Sequence, residues 1–192
     1  MNYFANAGAI LIEFVFGIAI ALVVLRVMLQ LVRANFYNPI CQFLYKVTNP
    51  VLIPLRRIIP SWRNLDIAGV LLAWLLFVIK RVLVFAMFAS VPAVHGLLLI
   101  AFADLIGFVL ITMLVLIFAR VILSFVGSDS RHPMIPLIAQ LTEPVLGPLR
   151  RRMPELGGID LSPMVAILAI ALLRALVVQP LLDLGMRLGQ SV

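Results

Sequence analysis

Residues 49–60 read NPVLIPLRRIIP, and residues 143–154 read EPVLGPLRRRMP. Each stretch is too apolar for a solvated loop. Each also has too many prolines for an ordinary helix and too many arginines for a membrane span. Just upstream, Ile40, Phe43, Leu44 and Val47 recur at helical spacing, with Gln42 and Lys46 on the other side. Met134, Leu137, Ile138 and Leu141 repeat this pattern, with Gln140 polar. The spacing predicts a short helix lying in the headgroup region with one apolar face. Proline lacks an amide donor and clashes with the preceding turn. Pro50 and Pro54, and likewise Pro144 and Pro148, are therefore expected to break the helix. Past Pro60 or Pro154 the chain should re-enter the membrane at Asp66 or Asp160, each placed to cap the next helix.

Four apolar runs surround these stretches, over residues 8–31, 67–89, 97–126 and 161–184. Each exceeds the ~20 residues that cross a bilayer core as a helix. The whole chain of 192 residues is 64% hydrophobic and only 12% charged, and its mean hydropathy is +1.19. A soluble domain carries about twice that share of charge. The expected fold is an all-α integral membrane bundle with four spans, the first retained and not cleaved. The alternating pattern of a membrane β-barrel is absent.

The net charge is +7. Most of it lies after the first span (Arg33, Lys46, Arg56, Arg57, Arg63) and after the third (Arg131, Arg150, Arg151, Arg152). By the positive-inside rule both basic segments face the cytoplasm and both termini face outward. No recognition motif accompanies the charge, so nucleic acid is not an expected partner. Trp62, Tyr37 and Tyr45 suit the aromatic belt on the basic side.

Shifted by 94 positions, the chain matches itself without a gap. Arg26 falls on Arg120, Pro39 on Pro133, Thr48 on Thr142, Asp66 on Asp160 and Lys80 on Arg174. The proline and arginine runs quoted above fall on one another as well. The chain is thus a duplicated unit of span, basic surface segment and span, with repeats over residues 1–94 and 95–192. An even number of crossings per unit makes the copies parallel, as if related by a pseudo-two-fold axis along the membrane normal.

The pattern NPI..FLYKVTNPVLIPLRRIIP...LDIAGVLL and its echo HPMI..IAQLTEPVLGPLRRRMPELGGIDLSPMV resemble the YggT (YlmG-like) family of small membrane proteins. The resemblance covers nearly the whole chain. It implies a bacterial inner-membrane or chloroplast protein. Such proteins have been linked to osmotic tolerance and potassium uptake, to cell division, and to maturation of a b-type cytochrome in plastids. It implies no catalytic residues. The first copy departs from the second at Ser61-Trp62-Arg63 against Glu155-Leu156-Gly157, and at Ala68-Gly69 against Ser162-Pro163.

The arginines Arg56, Arg57, Arg150, Arg151 and Arg152 have three readings. They set topology, bind the phosphates of anionic lipid, or dock a partner protein. Arg26 and Arg120, near the ends of their spans, are expected to snorkel to the interface. Lys80, Arg81 and Arg174 lie deeper, where an unpaired charge is costly. The acids available are Glu13 and Asp104. The expected pairs are Glu13 with Lys80 or Arg81, and Asp104 with Arg174, as structural clamps or as parts of an ion pathway.

The lone Cys41 reads as a small apolar residue near the membrane surface. His95 and His132 lack neighbours at metal spacing. Ser124, Ser128 and Ser130 near Asp129 and His132 read as a polar turn, not a triad. No enzyme, cofactor or metal is expected. Two functions remain: a scaffold or assembly factor that meets anionic lipid or other membrane proteins, and an ion or osmolyte permeation protein working as a homo-oligomer.

Overall fold

The computed structural model describes residues 3–88, 92–126, 132–153 and 160–190. Ser128, Asp129, Ser130, Arg131, Pro154, Glu155, Leu156 and Gly157 lie outside them. The described residues form helices throughout: α1 (Tyr3–Leu31), α2 (Pro39–Ile58), α3 (Ile67–Met87), α4 (Val94–Val126), α5 (Met134–Arg152), α6 (Ser162–Leu173) and α7 (Gln179–Gly189). A π-helical turn, Arg174–Val178, joins α6 to α7. Helix α1, helix α3, helix α4 and the joined α6–α7 are each long and apolar enough to cross a membrane. The first and third spans begin five and three residues earlier than their apolar runs, at Tyr3 and Val94.

Within each repeat the two spans pack together, α1 on α3 and α4 on α6–α7, and α3 packs on α4 to join the repeats. There is no comparable packing of α6–α7 on α1. The spans therefore form an open row. The two-fold relation expected from the repeat is not closed by a second contact.

Helices α2 and α5 lie at one end of the bundle. Their N-termini are tied together by Asn38, whose Nδ2 donates to the Pro133 carbonyl at 2.6 Å. Asn38 caps α2, and His132, at the equivalent position before α5, makes a similar local bond ahead of its N-cap Pro133. Asn38 Oδ1 accepts the Ile40 amide at 2.9 Å, and His132 Nδ1 accepts the Met134 amide at 3.3 Å. His132 thus bonds at the start of α5, and Cys41 is a buried packing residue.

The prolines do not break these helices. α2 runs through Pro50 and Pro54, and α5 through Pro144 and Pro148. Each proline removes only one backbone bond, and all four are exposed. On the opposite face Cys41, Leu44, Thr48 and Leu52 are buried without interruption, and Leu137, Ile138, Leu141, Thr142 and Leu146 do the same in α5. Packing along that row outweighs the lost bonds. The apolar face expected for α2 is divided: Leu44 enters the bundle while Phe43 and Val47 remain exposed. The chain turns only after Ile58, where Pro60 follows the helix end, and a two-residue turn closes between Trp62 and Leu65.

Two non-glycine residues have positive φ, Arg33 (51°) and Arg63 (54°). Their positions in the second repeat are held by Gly127 and Gly157. Glycine adopts that region without steric cost; both glycines lie outside the described residues.

The fourth span changes pitch at Arg174–Val178, where the Gln179 amide bonds back to the Arg174 carbonyl. Pro180 cannot donate to the carbonyl one turn earlier, and the ladder relaxes just before it. The extra residue turns α7 so that Gly185 and Gly189 face α4. A Cβ at Gly96 would lie 2.5 Å from the Gly185 carbonyl oxygen. Small residues four apart allow this close approach of backbones.

Candidate functional site

Polar side chains occur at three levels. At the basic end, Arg56 holds Asp66. Its Nε lies 3.3 Å from Asp66 Oδ1, and its Nη2 bonds both to Asp66 Oδ2 and to Gln30 Oε1 at 2.7 Å. Asp66 is fully buried. It stands at the expected cap position of α3, but its carboxylate makes no capping bond. The guanidinium, held close by the end of α2, takes it instead. In the second repeat Arg150 holds Asp160, with Nε to Oδ2 at 2.9 Å. Asp160 does serve the next helix, accepting the Ser162 amide at 2.9 Å. Partial burial acts to raise the Asp160 carboxyl pKa. The bonds from Ser162 and the Arg150 charge outweigh it and hold the group below the usual carboxylate range.

The second level is formed by Arg26 and Arg120. Neither snorkels. Arg26 is fully buried. Its Nη1 bonds to Thr48 Oγ1, its Nη2 to Asn49 Oδ1 at 2.8 Å, and its guanidinium lies 4.4 Å from the Tyr45 ring centroid. Arg120 reaches Thr142 Oγ1 at 2.7 Å and Glu143 Oε2 at 3.0 Å. In both repeats the threonine hydroxyl donates to the carbonyl four residues earlier, Leu44 or Ile138. That orients its lone pairs toward the arginine. The surface helices bring acceptors to these arginines, so the side chains need not extend to water. Tyr45 belongs to this cluster; Tyr37 and Trp62 are exposed on the basic side.

The third level lies inside the spans. Arg81 binds Asp104 through both nitrogens of its fork, Nε at 2.6 Å and Nη2 at 2.7 Å. Asp104 is therefore not paired with Arg174. Phe77 and Phe108, one turn away on each helix, stack edge-on at 5.8 Å, and this ring contact aims the face of α3 that carries Arg81 at α4. Lys80, one residue earlier, lies over the Phe77 ring at 4.9 Å. Glu13 is near enough to Lys80 and Arg81 to act on both electrostatically, but it forms no ion pair with either. Among the described residues Arg174 has no hydrogen bond or ion pair.

Of the basic residues at the interface, Arg56 and Arg150 are therefore held in ion pairs. Arg57, Arg151, Arg152 and Lys46 are exposed. Sequence reasoning missed the close packing at Gly185 and Gly189, the π-turn, and the acceptor role of Thr48 and Thr142. GMRLG, Pro180 and the alignment of Thr48 with Thr142 are their signals in the sequence.

Four apolar spans with surface helices in two copies define a duplicated, multi-pass helical membrane protein. The profile of the CCB3/YggT family matches residues 5–87 and again residues 99–181, the same offset of 94 as the internal repeat. The chain belongs to the CCB3/YggT family. It is 42% identical over 170 residues to a Vibrio alginolyticus protein described as uncharacterized and encoded 3′ of proC, covering 86% of this chain and 90% of that one. An uncharacterized Pseudomonas aeruginosa protein is 39% identical over 190 residues, with 92% and 91% coverage. The uncharacterized protein YggT of Escherichia coli K12 is 36% identical over 165 residues, with 86% of each chain covered. No solved structure matches significantly.

Proposed function

We propose that the protein is a non-catalytic scaffold or assembly factor of a bacterial inner membrane, with its basic end in the cytoplasm meeting anionic phospholipid and membrane-protein clients. The observation that carries this is the division of labour among the interfacial arginines. Arg56 and Arg150 fasten each surface helix to the following span. Arg57, Arg151 and Arg152 are left exposed beside them. Cations at headgroup level attract anionic lipid by about 1 kcal/mol each. The spans expose large apolar side chains along their outer faces, such as Phe14, Phe118 and Leu168, which suit lipid or the helices of clients.

The test is the lipid annulus in vesicles of mixed zwitterionic and anionic lipid, read with spin-labelled phosphatidylglycerol. Changing Arg57, Arg151 and Arg152 together to Gln should abolish the preference for the anionic label, and high salt should weaken it in the native chain. An unchanged preference leaves these residues as topology signals alone. A reporter following the last residue should report the outer side and one beside Arg152 the cytoplasm.

Permeation of an ion or osmolyte, by an oligomer, is the alternative. The charges within the spans favour it, while the two apolar-lined cavities of about 180 Å3 beside α1 and α3 do not. Potassium flux into vesicles carrying the purified protein decides between the two.

A further inference from the structure

Arg174 lies 12 residues along the fourth span from Ser162 and 15 before its end at Gly189. At 1.5 Å per residue this is about 18 Å from one end and 22 Å from the other. A guanidinium there lies too deep to reach either surface without distorting the bilayer. It nevertheless has no hydrogen bond or ion pair among the described residues. Among the described residues, five other acids cannot serve it: Asp66, Asp104, Glu143 and Asp160 are in ion pairs, and Asp183 lies nine residues further along the same helix. Of the acids among the described residues that leaves Glu13, which is exposed on α1, feels Lys80 and Arg81 only at a distance and has no ion pair among the described residues. Arg174 and Glu13 cannot meet in one chain, because α6–α7 does not pack on α1.

The repeat supplies the geometry by which they meet between chains. The contact of α3 with α4 joins the second span of one unit to the first span of the next, and it is sealed by Arg81 with Asp104. The same contact made again along the row would join α6 of one chain to α1 of a second copy. In repeat register Arg81 corresponds to position 175 and Asp104 to position 10. Arg174 and Glu13 are displaced from these by one and three residues, both toward the basic end of their spans. Along the helices that is about 1.5 and 4.5 Å, a difference of about 3 Å, and around them about 100° and 60°, offsets that the long arginine and glutamate side chains must cover together. The π-turn beginning at Arg174 distinguishes this span from α3 and stands where the joint would form.

We propose that this protein associates head to tail with further copies of itself, Arg174 of one chain binding Glu13 of the next. The interface continues the internal repeat across chain boundaries. A heterologous contact of this kind generates a ring where the rotation closes and a linear array where it does not.

The test is energy transfer between two differently labelled copies in vesicles of phosphatidylethanolamine and phosphatidylglycerol. Unlabelled helical content, read by circular dichroism, checks the fold of every variant. Native chains should associate. Glu13→Gln alone and Arg174→Gln alone should each weaken self-association by at least roughly tenfold, the change expected for loss of about 1.4 kcal/mol. The two single variants mixed should associate with each other, since one still carries Arg174 and the other Glu13. That pair, however, should stop at dimers. The charge-reversed chain, Glu13→Arg with Arg174→Glu, should self-associate again. Monomeric native protein overturns the proposal. So does native-like self-association of either single variant, or failure of the mixed variants to pair while both remain folded. The mixture keeps the test decisive where the charge-reversed chain does not fold.

Discussion

Arg56 and Asp66, ten residues apart, close the turn between a surface helix and a membrane span, and Arg150 and Asp160 close the same turn in the second repeat. The two copies differ in burial. The Asp66 side chain is 0% exposed and that of Asp160 38%. This difference decides what each pair contributes.

Asp66→Asn should destabilise the protein much more than Asp160→Asn. It leaves the Arg56 guanidinium facing a buried amide, and removing one partner of a buried pair costs about 3 kcal/mol or more. The exposed pair should contribute about 1 kcal/mol or less. Unfolding by denaturing detergent in mixed micelles measures both. Equal losses would show that burial does not separate them.

The Asp160 carboxyl is held below its ordinary pKa, so its protonation is tied to folding. A depressed carboxyl contributes stability that is present above the unfolded pKa and lost as the pH falls through the folded one. The stability gap between the native chain and Asp160→Asn should thus be constant at neutral pH. It should shrink once the pH drops below the usual carboxylate range of about 4. Melting temperatures of both proteins along an acid titration check this. A gap that widens in acid has the wrong sign.

Thr48→Val keeps the shape of the side chain but removes the acceptor from Arg26, while the neighbouring Asn49 bond remains. A hydrogen bond to a buried charge is worth about 1.5–3 kcal/mol, and the loss should fall in that range. Thr48→Ser should retain most of the stability. Thr142→Val should cost less, because Arg120 keeps Glu143 and is itself partly exposed.

Asp104→Asn should lower the abundance of the protein in membranes, with Arg81 left in the spans without its acid. Asp104→Leu combined with Arg81→Leu should recover it, since apolar replacement of both partners is often neutral. Recovery with Arg174→Leu in place of Arg81→Leu would contradict the geometry.

How far these features are legible in the sequence depends on the kind of periodicity each one leaves. Spans and repeat register are written in long apolar runs and in prolines and arginines spaced 94 apart, and the structure has them there. The partner of Asp104 was harder to read. Lys80 and Arg81 are adjacent, so each points about 100° from the other on the helix. Which one meets Asp104 is set by how Phe77 seats against Phe108, a tertiary contact without a local signal. The environment of Arg26 and Arg120 was hard to read for a related reason. Snorkelling is inferred from position along one span, whereas their acceptors arrive on a different helix 22 residues away. The continuous helices through Pro50 and Pro144 depend on the row of buried side chains behind them, which local propensity does not register.

The prolines of the surface helices also act as a depth gauge. Pro50 and Pro54 leave the carbonyls of Lys46 and of Pro50 itself without amide donors from within the helix, and Pro144 and Pro148 do the same for Gln140 and Pro144. Because the prolines are four apart, the bare oxygens form one stripe along the exposed side. Hydrocarbon offers them nothing to bond, and water does. Sinking into hydrocarbon would strand these oxygens, which opposes deeper burial of α2 and α5 however apolar their flanks. Phe43 and Val47 share that exposed side with Pro50 and Pro54, so one stripe carries both bare oxygens and apolar side chains, and it suits the level where water and acyl chains meet, which is the height at which Arg57, Arg151 and Arg152 are presented.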